Sequence, residues 1–223
     1  MGDVRRPPCA SFKSGAEDGI RWFTFSFALS LVLVLSGCSL GLLRPAPVKN
    51  YYLLDPPVQA SKDAPAYPFA IKVTNFEVAP HFQERGLVYR LDEQRYESDF
   101  YNQFFVAPRS MVTTQIAQWL GQRQIFAAVL TPASALDASY TLEGLVNQMY
   151  ADLRPGRQPA AVFEMQAFLT HTLDRTIVLE RSYAHTVFIP NQSATSIVKG
   201  FSEALAQCLD DLERDLRALN LKP

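Results

Sequence analysis

The sequence predicts an α/β fold in which a mixed β-sheet carries two packed α-helices. Short strand-like segments come first, and one amphipathic helix and a further strand follow them. Three long segments with strand character then lead into a long amphipathic helix at the end of the chain. No internal repeat is visible, so we expect these elements to form a single domain.

The first strands are short and lie in the first half of the predicted domain. We predict them over residues 51–54, 70–78, 87–91 and within 96–106. The alternation of apolar and polar residues breaks at Asn75 and Phe76, which predicts a β-bulge in the second strand.

The first helix is predicted to begin at Pro108, where the missing proline N–H costs no hydrogen bond, and to end at Gly121. Its apolar residues follow the spacing of one buried helix face: Val112, Ile116, Trp119 and Leu120. The apolar run at 125–130 predicts a fully buried strand. We expect that strand to pair in parallel with an earlier one through a right-handed crossover.

Residues 139–151, 161–173 and 176–188 predict three long strands that form an antiparallel meander. In the middle segment every second residue is apolar, which predicts one face in the core. The stretch from Leu173 to Thr176 predicts a tight hairpin turn between the last two strands.

The closing helix is predicted from Ser193 to Leu219, and one of its sides is apolar: Ile197, Phe201, Leu205, Cys208, Leu212, Leu216 and Leu219. Cys208 therefore falls on the buried face. A buried inert thiol is the expected role, and a reactive thiol is the alternative.

The first 37 residues predict a secretory signal peptide that takes no part in the fold. Residues 22–35 are apolar apart from Thr24, Ser26 and Ser30, and basic residues precede them. This run of about 14 residues is shorter than the roughly 20 that a membrane-spanning helix needs. A buried core helix is the alternative interpretation of the run.

The remaining 186 residues are enough for one domain with a substantial core. The whole chain has 21 basic and 22 acidic residues, and the first 37 contain four and three of them, so the rest has a net charge of −2. No basic stripe is present, and we expect no nucleic-acid partner.

Residue patterns typical of catalysis are missing from the sequence. The histidines are His81, His171 and His185, and none belongs to a helical metal pair or a Cys/His cluster. A hairpin centred at 174–175 would place His171 opposite position 178 and His185 opposite Glu164, so the two histidines would not meet. We therefore predict a protein without catalytic activity, metal or cofactor.

Residues 95–108 contain five aromatic side chains within ten residues: Tyr96, Phe100, Tyr101, Phe104 and Phe105. Packing in the core explains some of them. Aromatic residues are also enriched where proteins contact partners, so others are candidates for contact with a lipid or a protein. Neighbouring strand residues face opposite ways, so we expect Phe104 and Phe105 not to be buried together.

The end of the apolar N-terminal run, Leu35-Ser36-Gly37-Cys38, resembles the lipobox of bacterial lipoproteins. That resemblance implies a diacylglycerol thioether on Cys38, cleavage before it, and acylation of the new amino group. Two or more acyl chains hold a protein firmly to a membrane. The chain then divides into a signal peptide at 1–37, a lipidated cysteine and tether at 38–50, and a domain at 51–223.

From Tyr51 onward the chain resembles the ABC-type transport auxiliary lipoprotein family, typified by paraquat-inducible protein C. The matching segments occur in the family's order: "YYLL", "LVYRL", "FFVAPRSMVTTQIAQWL", "YTLEGLVNQMYAD", "AAVFEMQAFLTH", "TIVLERSYAH" and "ALAQCLDDLERDL". Phe105 stands at the position of an aromatic-x-x-Pro motif that commonly has Trp. We therefore expect Phe105 to be buried, and Phe104, Tyr101 and Phe100 to be the candidates for partner contact.

The family resemblance implies a mixed α/β fold similar to the N-terminal domain of TolB, and no catalytic residues. It also implies a role beside an MCE-domain protein, a permease and an ATPase that move lipids across the periplasm. Self-association into a homo-oligomer stays open. A lipoprotein with another envelope role, such as outer-membrane assembly or cell-wall anchoring, is the alternative.

Ser39 follows the predicted lipidated cysteine. Enterobacterial lipoproteins that stay at the inner membrane have Asp at that position. The resemblance therefore implies the outer membrane, with the domain facing the periplasm, rather than the inner membrane.

Overall fold

The computed structural model describes residues 48–222. The predicted signal peptide, Cys38, and the predicted tether up to Pro47 lie outside these residues. The described strands are β1 Asn50–Tyr52, β2 Tyr67–Val78, β3 Gly86–Arg90, β4 Tyr96–Phe104, β5 Phe126–Leu130, β6 Tyr140–Asp152, β7 Ala160–His171 and β8 Ile177–Phe188. The α-helices among the described residues are α1 Pro108–Gln122 and α2 Ala194–Ala218, and a 3₁₀ turn spans Pro80–Phe82.

The described strands form one eight-stranded mixed sheet, which confirms the predicted fold class. β6, β7 and β8 form the predicted antiparallel meander, and β5 pairs in parallel with β2 as expected. A contiguous set of buried side chains from the sheet and both helices makes up the core.

The sheet forks beside β6. Along one edge β6 pairs with β7 over its full length, whereas the other edge is shared between two strands. The first half of β6 pairs with β2, and its last two residues pair with β3. One branch therefore continues from β2 to β5, and the other continues from β3 through β4 to β1. As a result β1, the first strand after the predicted tether, lies at an outer edge of the sheet.

The predicted bulge in β2 is present, because the pairing with β6 shifts between Val73 and Phe76. The Phe76 N–H donates instead to the buried Thr113 hydroxyl of α1 over 2.9 Å, so the group is satisfied inside the core. Gly144 faces this bulge on β6. A Cβ at Gly144 would overlap the Phe76 ring and the Gln166 carbonyl oxygen, so only glycine fits there.

Helix α1 packs on β2 and β5, and it buries the face that the sequence predicts. The prediction that β5 is fully buried is wrong. Only Phe126 is buried, whereas Ala127 and Ala128 are exposed, because β5 pairs on one side only and ends that branch of the sheet. A short apolar run is therefore compatible with an edge strand covered on one face by a helix.

Helix α2 packs on β7 and β8. It begins after Ser193, whose hydroxyl oxygen accepts a hydrogen bond from the Ser196 N–H over 3.2 Å. Its predicted apolar face is buried from Ile197 to Leu216. Glu213, also buried, binds Arg123 at the end of α1 and Arg217 one turn along α2, so an ion pair joins the two helices.

The register of the last hairpin differs from the prediction. His185 lies opposite Phe163 rather than Glu164, and Thr170 pairs with Ile177. The pair Thr170 and Ile177 centres the hairpin at 173–174 rather than 174–175, and the slip between Leu169 and Thr170 removes part of this difference. Arg175 in the turn adopts a positive φ of 58°. The two histidines still do not meet, as predicted.

Candidate functional site

The histidines of the described domain each have a local partner. His185 Nε2 lies 2.7 Å from Asp211 on α2, and His171 Nδ1 lies 2.8 Å from Asp174 in the hairpin turn. The contact with His185 is the main cause that holds the pKa of Asp211 below its usual range. His81 packs edge-on against Phe82. Within residues 48–222 no three His, Cys, Asp or Glu side chains gather in a way that could hold a metal ion.

Cys208 is buried on α2, as the sequence predicts. Burial is the main cause that raises the pKa of its thiol to about 12, so the nucleophilic thiolate is scarce at neutral pH. The thiol is also shielded from solvent by the strands below it. This environment fits the inert thiol and not the reactive alternative.

A cleft of about 490 Å³ lies at the fork of the sheet. It is lined by Arg90, Tyr96, Tyr150 and the 3₁₀ turn that carries Phe82. The Tyr96 ring contacts Tyr150 edge-on, with centroids 5.5 Å apart, and the Arg90 guanidinium lies over both rings. Tyr96 therefore belongs to this cleft and not to the same surface as the other aromatic residues of its strand.

Phe104 and Phe105 have the reverse of their expected positions. Phe104 is 1% exposed and packs against Phe201 of α2, whereas Phe105 is 60% exposed. The expectation that Phe105 is buried and Phe104 available for contact is therefore wrong. The reason is the pairing with β1, because Phe104 lies opposite the half-buried Tyr52 on the core side of the edge strand.

Phe100 and Tyr101 lie where β4 departs from regular pairing with β3. The register shifts between the pairs at Gly86 and Val88, and the Asp99 side chain fills the irregular stretch. Asp99 accepts hydrogen bonds from the backbone N–H groups of Tyr101 and Asn102 and from the Tyr89 hydroxyl. Partial burial raises the pKa of Asp99. The hydrogen bonds that Asp99 accepts, of which the one from the Asn102 side-chain amide has the largest effect, lower it by more, so the pKa lies below its usual range.

This irregular stretch leaves the Phe100 and Tyr101 rings outside the core. Phe100 is 63% exposed and Tyr101 is 44% exposed, and the two rings contact each other edge-on. Both positions agree with the expectation that these side chains are available for contact. Their use by a partner stays a prediction.

Strand β1 adds further exposed apolar side chains to this edge. The Tyr51 ring meets the Phe105 ring edge-on, with centroids 6.0 Å apart, and Leu53 is 56% exposed. We use the name edge surface for the exposed apolar residues of this region together with two cations: Tyr51, Leu53, Phe100, Tyr101, Phe105, Val106, Lys49 and Arg85.

The two cations of the edge surface lie over aromatic rings. Lys49 Nζ is 3.8 Å from the centre of the Phe100 ring, and the Arg85 guanidinium is 5.3 Å from that of Tyr51. Arg85 Nε also donates to the Phe104 carbonyl oxygen over 2.9 Å. Neither cation forms an ion pair with a carboxylate of the described domain. The edge surface is therefore aromatic and basic.

Sequence reasoning missed five members of the edge surface, Lys49, Tyr51, Leu53, Arg85 and Val106, and it wrongly placed a sixth, Phe105, in the core. The alternation in "NYYLL" places Tyr51 and Leu53 on the face opposite Tyr52 and Leu54, which is a signal that could have found them. Arg85 has no such signal, because only the pairing of β3 with β4 brings it to this edge.

The elements described above occur in a known family. The family model of the ABC-type transport auxiliary lipoprotein component matches residues 51–213, which is most of the described domain. The chain belongs to this family. The match begins at Tyr51 in β1 and ends within α2, so it includes strands β2 to β8, α1 and all of β1 except Asn50. No curated protein sequence matches the chain.

Two solved structures show the same fold as this auxiliary lipoprotein component. A protein from Xanthomonas campestris is 18% identical, with a TM-score of 0.66 over 74% of this chain and 92% of its own. An uncharacterised protein is 16% identical, with a TM-score of 0.60 over 76% of this chain and 99% of its own. At these identities the likeness supports the fold alone. Within residues 48–222 no helix is both long and apolar enough to cross a membrane.

Proposed function

We propose that this auxiliary component is a non-catalytic docking or scaffold subunit of an MCE-type ABC lipid transport system, anchored to the outer membrane through lipidated Cys38. The observation that carries the proposal is the family match, which begins at Tyr51, shortly after the lipobox-like sequence that ends at Cys38. A membrane anchor followed by a tether and a folded domain is the arrangement expected of a subunit that meets its partners at a membrane.

The geometry of the domain supports a binding role rather than catalysis. The side chains with chemical reactivity are dispersed: Cys208 is buried, His185 pairs with Asp211, and His171 pairs with Asp174. In contrast, the exposed aromatic residues are concentrated at one edge of the sheet. Exposed apolar side chains gathered in this way mark a site of contact with a membrane or a protein rather than a catalytic centre.

The anchor is tested at Cys38. Because Cys38 is the only cysteine directly after the apolar run, Cys38→Ala should abolish metabolic labelling with palmitate. Cys208→Ala is the matched control, and it should label as the wild-type protein does. A Cys38→Ala protein that still labels would show that the lipobox interpretation is wrong.

The membrane is tested by density-gradient fractionation of the envelope. With Ser39 after the cysteine, the protein should sediment with outer-membrane markers. Sedimentation with inner-membrane markers would contradict the proposed location while leaving the anchor itself intact.

The role in transport is tested by affinity purification from solubilised envelope, with identification of the bound proteins by mass spectrometry. The proposal expects an MCE-domain protein, with its permease and ATPase, to be enriched over a control preparation from untagged cells. Self-association, which stays a prediction, would be visible in the same preparation as co-purification of a second, differently tagged copy. Enrichment of an outer-membrane assembly or cell-wall protein instead would contradict the transport role.

A further inference from the structure

We propose that the edge surface rests in the headgroup region of the membrane that holds the anchor, as a second contact beside the acyl chains. The inference rests on the proposed anchoring at Cys38 and adds to it an orientation of the domain. The occupant of this aromatic and basic surface is then a lipid bilayer with anionic headgroups, rather than a protein.

Exposed apolar side chains are concentrated at the edge surface. Of thirteen large hydrophobic side chains that are exposed among the described residues, seven lie within residues 48–53 and 100–106. The seven come from two chain segments that the parallel pairing of β1 with β4 brings together. Exposed apolar residues scattered singly need no explanation, whereas a contiguous group at one edge indicates a contact.

The position of the edge surface in the chain favours a membrane. The described residues begin at Val48, which is 80% exposed and directly precedes Lys49 of the edge surface. Val48 lies only ten positions after Cys38, and a fully extended chain of that length spans at most about 36 Å. Of all the surfaces of the domain, this edge is the one that the chain ties most closely to the proposed anchor.

The chemical character of the edge surface matches a lipid interface. Tyrosine and phenylalanine rings combined with lysine and arginine are typical of protein surfaces that lie at the headgroup level. Residues 48–54 and 100–107 contain no Asp or Glu, and Lys49 and Arg85 have no carboxylate partner in the described domain. Asp99, the nearest acidic residue in β4, is occupied by hydrogen bonds from Tyr89, Tyr101 and Asn102. Anionic headgroups would therefore meet two available cations.

Two other occupants remain as outcomes of the test. A second copy could pair with the outer side of β1, but that strand is only three residues long and offers few backbone groups for pairing. A protein partner could bind the same aromatic residues. A bilayer is favoured because the tether keeps the edge surface close to the membrane at all times, so contact with lipid does not depend on the arrival of another molecule.

The experiment measures binding to vesicles without the acyl chains. The core of the described domain is formed by residues between 48 and 222, all of which the chain from Ser39 onward contains, and circular dichroism verifies that this protein is folded. This protein is sedimented with vesicles of two-thirds phosphatidylcholine and one-third phosphatidylglycerol, and with vesicles of phosphatidylcholine alone. We expect binding to both, and tighter binding to the anionic vesicles.

Three variants locate the contact. Phe100→Ser should weaken vesicle binding by about tenfold, the loss expected when one phenylalanine side chain no longer buries its apolar area. Lys49→Gln should weaken binding to the anionic vesicles by roughly fivefold and leave binding to phosphatidylcholine unchanged. Phe188→Ser is the matched control, because Phe188 is also 63% exposed but lies on β8 at the opposite edge of the sheet. Circular dichroism verifies that each variant is folded.

The outcomes separate a lipid from a protein at this surface. Loss of vesicle binding with Phe100→Ser and not with Phe188→Ser supports the proposal. No vesicle binding by the wild-type chain, or equal binding by the folded Phe100→Ser variant, overturns it. If Phe100→Ser instead removes self-association in light scattering, or the MCE-domain protein in co-purification, while vesicle binding is kept, the occupant is a protein. Palmitate labelling of Cys38 does not involve Phe100, so failure of the anchor and failure of this inference are distinguishable.

Discussion

Phe104 and Phe105 are neighbours in the chain with opposite surroundings. Phe104 is part of the core beneath α2, whereas the Phe105 ring lies outside it against Tyr51. The rule that neighbouring strand residues face opposite ways correctly predicts that only one of the two is buried. It cannot say which one, because that depends on the side from which β1 and α2 approach, and both are distant in the sequence.

This difference predicts distinct effects on stability. Phe104→Ala should lower the free energy of unfolding by about 3–5 kcal/mol, the range for truncating a buried phenylalanine. Phe105→Ala should cost less than about 1 kcal/mol, because little of its ring leaves water on folding. Chemical denaturation of the two variants measures both values. Equal destabilisation would contradict the placement of Phe105 outside the core.

The positions of the other aromatic residues of β4 likewise depend on elements that are distant in the sequence. The sequence shows that five rings are too many for one face of a strand, and it identifies Phe100 and Tyr101 as candidates for contact. It does not show that Tyr96 belongs to a separate cleft, because the Tyr150 ring that receives it lies in β6. The sequence also does not show that the Arg85 guanidinium lies over the Tyr51 ring, because this contact depends on the pairing of β3 with β4.

At the scale of elements, helices and long strands are predicted well from the sequence. Both helices lie within one or two residues of their predicted bounds, because proline, glycine and serine mark their ends and the apolar spacing marks their buried faces. The position of the short strand β5 is predicted correctly, whereas its predicted full burial is wrong. An apolar run has no feature that distinguishes a central strand from an edge strand that a helix covers.

The contact of β2 with β6 depends on one glycine. Because a Cβ at Gly144 would overlap the Phe76 ring and the Gln166 carbonyl oxygen, Gly144→Ala should destabilise the domain by about 1–3 kcal/mol. Gly121 in α1 is the matched control, since its Cβ would meet nothing within 4 Å. Gly121→Ala should raise stability by about 0.5–1 kcal/mol through helix propensity. A folded Gly144→Ala variant as stable as the wild type would contradict the described approach of the bulge to β6.

At the scale of the whole molecule, the family resemblance and the fold class could be predicted from the sequence, whereas the fork of the sheet could not. The fork depends on β3 and β2 sharing one edge of β6, and the paired residues are 62 to 69 positions apart in the chain. The edge surface is likewise assembled from residues 49–53, 85 and 100–106. Contacts of such separation leave no local pattern in a single sequence, so the surface becomes visible only in the folded domain.

The fork also places β1 and β8 at different edges of the sheet. One branch ends at β1, next to the chain that leads to the proposed anchor, and the opposite side of the sheet ends at β8. If the edge surface rests on a membrane, β8 and the outer side of α2 are left for partners in the periplasm. In that arrangement the proposed lipid contact and the proposed transport partners occupy different parts of the domain.

The proposed role of this protein within a lipid transport system is tested by gene deletions. The gene for this chain and that for the co-purified MCE-domain protein are removed singly and together, and the lipid composition of the outer membrane is measured for each strain. If the two proteins act in one transport system, both single deletions should change the lipid composition in the same way, and the double deletion should add nothing. Additive changes, or a change with only one of the two deletions, would contradict it.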